Sequence, residues 1–366
     1  MEYRYLRDGS RISTTGIGVG NYAFEHVAPA EIERIFATAF DGGINYFDTC
    51  LSAAWPAEPM ARAIKNIPRH ELIMQNHLCR DYRSGERVRT RKLADVKDAF
   101  TFELKKYGTD YSDIGIIYFV DEEKDIRQMV DFGIVDHALS LRKEGIIRNL
   151  GFSSHTVEVA RKMLDVADFD VLFFGVNAGF DLQPYGNTLT VSEARKDLYA
   201  TCSKRGIAIT AMKPYNNGRL LDAKRSPFGR AMTTHQCLQY ALDRPAVVSC
   251  LCGATTAEEM KKTLQFYEAS AEERDYSYLG LLSKKDLNIG CTYCNHCVPC
   301  PVHINVGQVN KYYDLAKVGD LIAAEHYDSL SKHASDCIHC GGCNSRCPFH
   351  VDMSFHMNEI RDFFQY

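Results

Sequence analysis

Ile147-Arg148-Asn149-Leu150-Gly151-Phe152, followed by Val157-Glu158-Val159-Ala160-Arg161-Lys162-Met163-Leu164, is a short apolar run leading into an amphipathic helical stretch. The same pairing recurs along the first 267 residues. Strands are expected at 15–20, 45–48, 72–75, 114–119, 147–152, 171–174, 207–212 and 246–250. Helices are expected between them, among others at 29–40, 95–107, 157–164, 192–203 and 256–267. Eight strand–helix units over this length point to an α/β fold, a closed (β/α)8 TIM barrel. Residues 6–12 would form a short hairpin at its base, with Asp8-Gly9 as the turn. A doubly wound open sheet is the competing architecture, but no Gly-x-Gly-x-x-Gly fingerprint follows the first strand. Gly16, Gly18 and Gly20 alternate along that strand, which suits close packing rather than a phosphate-binding turn.

The C-terminal part reads differently. It contains Cys291-Thr-Tyr-Cys294-Asn-His-Cys297-Val-Pro-Cys300-Pro301 and then Cys337-Ile-His-Cys340-Gly-Gly-Cys343-Asn-Ser-Arg-Cys347-Pro348. The second run has the bacterial ferredoxin spacing, and the first is one residue tighter before its fourth cysteine. Each proline is followed by a repeat, Val302-His303-Ile304 in one case and Phe349-His350-Val351 in the other. Loops of two residues let successive thiolates converge on one corner of a cubane, and a fourth ligand from further along closes the cage. Two 4Fe-4S-binding units are therefore expected in a mainly helical, ferredoxin-like domain. In two-cluster ferredoxins the fourth cysteine serves the other cluster. By that resemblance Cys291, Cys294, Cys297 and Cys347 would hold one cluster, and Cys337, Cys340, Cys343 and Cys300 the other. Paired zinc sites fit this crossed pattern less well, and nothing signals the secretion that a disulfide framework would need. Further helices are expected at 309–327 and 353–364, the aromatics of the last docking on the barrel. A polar linker, 268–285, would divide a barrel of residues 1–267 from a cluster domain of residues 286–366.

The 366 residues carry 43 basic and 47 acidic side chains, so nothing marks a nucleic-acid or anionic-membrane surface. No apolar run approaches membrane-spanning length, and the charged N-terminus lacks a signal-peptide core. Fourteen cysteines, six of them outside the two runs, suit a reducing interior. A cytoplasmic protein is expected, from an anaerobe or an oxygen-poor compartment.

Gly43-Ile-Asn-Tyr-Phe-Asp48-Thr49, Leu141-Arg-Lys-Glu-Gly145-Ile-Ile-Arg148-Asn-Leu-Gly151-Phe-Ser153-Ser154-His155, Ala211-Met212-Lys213-Pro214 and Gly253-Ala-Thr-Thr are spread over the whole barrel. Through these segments and the cysteine runs the chain resembles the aldo/keto reductase superfamily, specifically its members with a ferredoxin-like C-terminal domain. The resemblance implies carbonyl reduction with NAD(P)H by a tetrad of Asp, Tyr, Lys and His at the barrel mouth. Asp48 matches the aspartate. Ala53 stands where the family has tyrosine, His77 where it has lysine, and Tyr118 where it has histidine, so three of four members are replaced. The cofactor positions also depart from the family. Ser153 matches a contact to the nicotinamide carboxamide, but Phe173 replaces its glutamine partner. Glu259 and Thr263 lie where basic or amide side chains approach the adenosine phosphate. A carboxylate there would repel a 2′-phosphate, so ordinary NADPH-dependent carbonyl reduction is not expected.

Side chains at the C-terminal ends of barrel strands meet at the active face. That gathers Asn21, Asp48, Cys50, His77, Cys79, Tyr118, Asp121, Ser153, His155, Asn177, Lys213 and Cys252. Asp48, His77 and Tyr118 are the candidate catalytic set, with Asp48 orienting and charging His77 while Tyr118 donates a proton or hydrogen bond. The competing reading is that His77 fills the vacated lysine space and bonds Asp48. Ser153, Asn177, Lys213, Gly218 and Gly253 are the candidate cofactor contacts, Gly218 because backbone N–H groups in the loop 214–219 can approach an anion. Cys50, Cys79, Cys250 and Cys252 invite a metal or thiol role, but without matched His or carboxylate spacing they read as buried core residues. Three functions follow. The first is an iron–sulfur oxidoreductase passing electrons between two 4Fe-4S clusters and a small-molecule substrate, with a ferredoxin or flavodoxin as electron-donor protein. The second is an NADH-linked aldo/keto reductase with Tyr118 as acid. The third is a non-catalytic electron-transfer or scaffold subunit. Whether NAD(H) or NADP(H) binds is left open.

Overall fold

The computed structural model describes residues 1–20, 22–185, 188–282, 290–291, 293, 295, 297–347 and 351–365. Eight parallel strands close a barrel: β1 (Thr15–Gly18), β2 (Tyr46–Asp48), β3 (Ile73–Leu78), β4 (Ser112–Ile117), β5 (Ile147–Ser154), β6 (Val171–Gly175), β7 (Ala208–Met212) and β8 (Val247–Gly253). Closure is made where β8 pairs with β1 in parallel register, Cys250 opposite Thr15 and Gly253 opposite Gly18. Parallel neighbours need crossover connections, and helices supply them: α1 (Pro29–Asp41), α2 (Ala57–Ile64), α3 (Leu93–Lys106), α4 (Glu123–Asp131) with α5 (Ile134–Lys143), α6 (Val157–Leu164), α7 (Glu193–Arg205), α8 (Thr234–Leu242) and α9 (Ala257–Leu264). The expected barrel is thus the observed one.

The alternating glycines of β1 have a steric cause. A Cβ on Gly16 would fall 2.3 Å from the Tyr46 ring, which fills the barrel interior beside Ile73, Ile114 and Phe173. The N-terminal hairpin, Tyr3–Tyr5 paired with Arg11–Ser13, plugs the base with Leu6 and Ile12. Arg7 fastens it there through Asp168 and Asp170, both at 2.9 Å.

Residues 268–282, read as linker, hold a short helix (Ala271–Arg274) and a turn (Ser277–Leu281), and they pack on α8. Leu279 is buried, and Tyr276 bonds Asp243 (2.7 Å) and Arg244 (3.0 Å). The rest of that stretch, 283–285, lies outside the described residues. The helix expected at 309–327 is two helices, α10 (Val306–Lys317) and α11 (Leu321–Asp328). Gly319 takes a left-handed φ of 87°, which ends α10, and Asp320 caps α11 by accepting the Ala323 N–H at 3.0 Å. The last helix, α12 (Met353–Phe364), has the expected bounds, but its aromatics dock elsewhere. Phe364 stacks on Tyr327 at 3.8 Å and Phe363 meets the Tyr313 ring edge-on, so α12 packs on α10 and α11 rather than on the barrel.

Candidate active site and cluster-binding region

The C-terminal ends of the strands surround a cavity of about 570 Å3. Asp48, Tyr118, Ser153, His155, Phe173 and Lys213 contribute from the barrel. The roof comes from the far end of the chain: Val318, Gly319, Asp320, Ile322 and His326. None of these five was picked out from sequence. The available signal was a histidine on the apolar face of a helix, since Ile322, Ala323, His326 and Tyr327 are the buried side chains of α11.

Asp48 is held from several sides. Its Oδ1 accepts from Gln75 Nε2 (2.9 Å) and faces His77 Nε2 (2.6 Å), and its Oδ2 accepts the Cys50 N–H (3.3 Å). Gln75 is fixed in turn by Tyr46 (2.9 Å) and Thr210 (3.2 Å). His77 is fully enclosed, edge-on to Tyr118 and Phe173, and it is Asp48 that lines the cavity with His77 behind it. The structure therefore brings Asp48 and His77 together, while the Tyr118 hydroxyl has another partner. That partner is His326 Nε2, at 3.0 Å.

The Tyr118–His326 pair sits among fixed charges and rings. Arg80 lies 4.5 Å over the Tyr118 ring and reaches Glu325 at 3.3 Å, next to His326 on α11. His326 stacks on Phe119 at 4.1 Å. Burial raises the Tyr118 hydroxyl well above the ordinary tyrosine range, against the opposing pull of Arg80. Burial, helped by His155 and Lys213, holds His326 well below the usual imidazole value. At neutral pH the pair is an uncharged phenol hydrogen-bonded to an uncharged imidazole.

His155 and Asp121 form a second buried pair beneath α10. His155 Nδ1 lies 3.0 Å from Asp121 Oδ2, the Asp121 carboxylate accepts the His155 N–H at 2.6 Å, and Tyr312 Oη donates to it at 2.5 Å. Burial alone would raise the carboxyl, but His155 and these donors outweigh it and bring Asp121 down to about 2.

Lys213, with a left-handed φ of 58°, directs Nζ to Asp320 Oδ2 at 3.2 Å, and Asn217 Nδ2 reaches the same oxygen at 2.5 Å. The loop read as anion-binding thus holds a carboxylate of its own chain, one that also caps α11. Asp320→Ala is expected to lower stability by about 2–3 kcal/mol, since it removes a cap and leaves Lys213 and Asn217 without their shared acceptor. The denaturant midpoint of cluster-replete protein measures this, and a midpoint equal to the parent's would contradict it.

The remaining candidates divide. Ser153 accepts the Phe119 N–H at 2.7 Å and faces the cavity, as do Gly218 and Gly253. Asn177 is buried in a structural role, capping a short helix through Phe180 N (3.0 Å) and donating to the Lys213 carbonyl (2.8 Å). Cys79, Cys250 and Cys252 lie in the core that faces the helices, as expected of buried cysteines. Asn21 lies outside the described residues.

The cysteine runs have matching backbones. Tyr293 and Asn295 in the first, and His339 and Gly341 in the second, have positive φ at equivalent places, the residues flanking the middle cysteine. The turn this makes aims a backbone N–H at the leading sulfur in each run, Tyr293 N to Cys291 Sγ and His339 N to Cys337 Sγ, both 3.4 Å. Asn305 and Asp352, each five residues after the run's last cysteine, cap 12-residue helices α10 and α12. The internal repeat is therefore structural as well as sequential. One cavity gathers Cys300 with Cys337, Cys340 and Cys343, and Cys297, Val306 and Met357 also line it. A thiol-lined, mostly apolar hollow, with Arg346 and Ser354 as its polar side chains and a backbone N–H on the Cys337 sulfur, suits an iron–sulfur cluster. Cys297 and Cys347 are buried in one apolar cluster against which Cys291 packs, while Cys294 lies outside the described residues, as do Pro348, Phe349 and His350.

Comparison with known proteins agrees with this geometry. The aldo/keto reductase family model matches residues 16–236, and the 4Fe-4S dicluster domain model matches residues 289–351. No curated protein matches the chain. Among solved structures, an aldo-keto reductase from Bacillus halodurans in its holo form is similar at a TM-score of 0.61 and 20% identity, covering 75% of this chain and 94% of that one. An aldo/keto reductase from Brucella melitensis is similar at a TM-score of 0.51 and 18% identity, covering 75% and 97%. At such identities the likeness is one of fold. No described helix is long and apolar enough to cross a membrane. The barrel, matched by its family model over more than half of the sequence and extended by the dicluster domain, makes this chain a member of the aldo/keto reductase family and an iron–sulfur oxidoreductase.

Proposed function

We propose that this oxidoreductase acts on a small molecule in the barrel-mouth cavity, exchanging electrons through two 4Fe-4S clusters. Cys291, Cys294, Cys297 and Cys347 would hold one, and Cys337, Cys340, Cys343 and Cys300 the other, in a domain of residues 286–366 that follows a barrel of residues 1–267. Bound clusters supply one electron at a time, at a potential set by burial and by hydrogen bonds to sulfur. The observation carrying this reading is helix α10. At its start Val306 lines the cysteine cavity, and just past its end Val318 lines the barrel cavity. Its 12 residues span about 18 Å, so one rigid element ties the two together.

Within the cavity, Tyr118 is the proton donor of this proposal. Tyr118 lines the cavity, and its hydrogen bond to His326, which lines it too, holds the phenol in place. Asp48 is the acceptor or hydrogen-bonding group on the same side of the barrel mouth, and His77, between it and Tyr118, acts through Asp48. Arg80 and Glu325 position α11 so that His326 meets Tyr118. The test is to reduce the clusters anaerobically and offer a panel of carbonyl and enone compounds, following cluster absorbance and product together. Product formation from reduced protein without another electron donor supports the proposal. No reoxidation by any compound in the panel, with NADH-driven turnover instead, would reject it in favour of the second reading.

That second reading, an NADH-linked reductase, is favoured by the lining of the cavity, which includes Gly218, Gly253, Thr255 just before α9, and Glu259 and Lys262 on α9. Glu259 is fixed there by the Thr255 N–H (2.7 Å) and hydroxyl (2.8 Å). A fixed carboxylate suits the ribose hydroxyls of NADH and repels a 2′-phosphate. NADH is expected to bind at least as tightly as NADPH, and Glu259→Gln to tighten NADPH by about fivefold, or about 1 kcal/mol. Fluorescence titration measures both, and tighter NADPH than NADH binding in the parent protein would contradict the assignment.

A further inference from the structure

Asp48, Cys50 and His77 carry no ligand spacing in the sequence, because β2, the loop after it and β3 each supply one of them. The fold places one ligand atom of each within 4.8 Å of the others, and all three side chains are buried. We propose that Asp48, Cys50 and His77 form a zinc-type divalent metal site that opens on the barrel-mouth cavity.

The donor set comes first. A thiol sulfur, an imidazole nitrogen and a carboxylate oxygen suit zinc, whereas magnesium and calcium take oxygen ligands. Bonds of about 2.0–2.3 Å in a tetrahedral site put ligand atoms roughly 3.3–3.7 Å apart; the three atoms lie within 4.8 Å of one another, and His77 Nε2 and Asp48 Oδ1, 2.6 Å apart across a hydrogen bond, would part by about 1 Å as the metal replaces the proton. Metal-bound carboxylates are hydrogen-bonded in turn, and Asp48 already takes bonds from Gln75 and the Cys50 N–H, with Gln75 locked by Tyr46 and Thr210. His77 is 1% exposed and presents Nε2 to Asp48, so Nε2 is the ring nitrogen that can share a cation with that carboxylate, in place of the proton between them.

Access distinguishes the kind of site. Asp48 and Cys50 line the cavity, so a fourth coordination position would face it. Three protein ligands with an open position is the layout of catalytic zinc, in contrast to the closed four-ligand structural type. The metal would polarise an oxygen held beside Tyr118. This site is separate from the cysteine runs and does not depend on the electron-transfer proposal.

The experiment uses cluster-replete protein, purified anaerobically, equilibrated with Zn2+ and desalted before zinc and iron are counted. The parent is expected to retain about one zinc per chain beside its iron, with a zinc-edge absorption spectrum of one sulfur and otherwise nitrogen or oxygen neighbours. Cys50→Ser and His77→Gln are each expected to lower zinc affinity at least tenfold, with iron content and circular dichroism unchanged. Two conservative variants at separate ligands guard against one that fails to fold. Absence of retained zinc in the parent would overturn the proposal. So would equal zinc affinity in both variants, or a spectrum of four sulfur neighbours, which would place the metal in the cysteine runs.

Discussion

Tyr118→Phe is expected to slow turnover roughly 10²–10⁴-fold, the usual consequence of removing a positioned proton donor, while iron content and ligand binding stay as in the parent. The phenol lines the cavity, and so does its hydrogen-bond partner His326. Its ring is held between His77 and the Arg80 guanidinium, so phenylalanine fits the same space. Steady-state kinetics on a substrate identified from the panel measures the loss. His77→Ala should also slow turnover, since His77 orients Asp48 at the cavity wall. A Tyr118→Phe rate within threefold of the parent would move the acid elsewhere on the wall.

Cys300→Ser is expected to remove about four of about eight irons, and the lost cluster should be the one assigned to Cys337, Cys340 and Cys343 rather than to the variant's own run. The crossed assignment makes this prediction: one cavity gathers Cys300 with Cys337, Cys340 and Cys343, although Cys297 lines it too. Iron analysis combined with the paramagnetic resonance signal of reduced protein tests it. The double variant Cys300→Ser with Cys340→Ser should lose no more iron than Cys300→Ser alone. Complete loss of iron in the double variant, with half lost in each single one, would mean that each run serves its own cluster.

The barrel was legible because its signal is local and repeated. A run such as Ile147–Ser154 followed by Val157–Leu164 reports both its own structure and its place in an eightfold series. Gly16 was legible in kind, as a packing glycine, although only the fold shows that Tyr46 is what it makes room for. The cysteine repeat was legible for the same local reason. The roof of the site was not. Asp320 and His326 act across more than 100 residues of sequence, on Lys213 and Tyr118, and no periodicity records such a meeting. The break in the helix expected at 309–327 was readable, because Gly319-Asp320 is a stop followed by a cap, but hydrophobic pattern alone ran through it. Likewise the proximity of Cys50 to His77 depends on the neighbouring of β2 and β3, which the residue spacing does not encode.

Electron transfer between the cysteine-bound clusters and a molecule in the barrel cavity is measured by anaerobic stopped-flow, mixing reduced protein with a substrate from the panel and recording cluster absorbance alongside product. The clusters are expected to reoxidise at the rate of product formation, and Tyr118→Phe to slow both by the same factor. Product formed from NADH while cluster absorbance stays constant, or cluster reoxidation at the parent's rate in Tyr118→Phe, would contradict it.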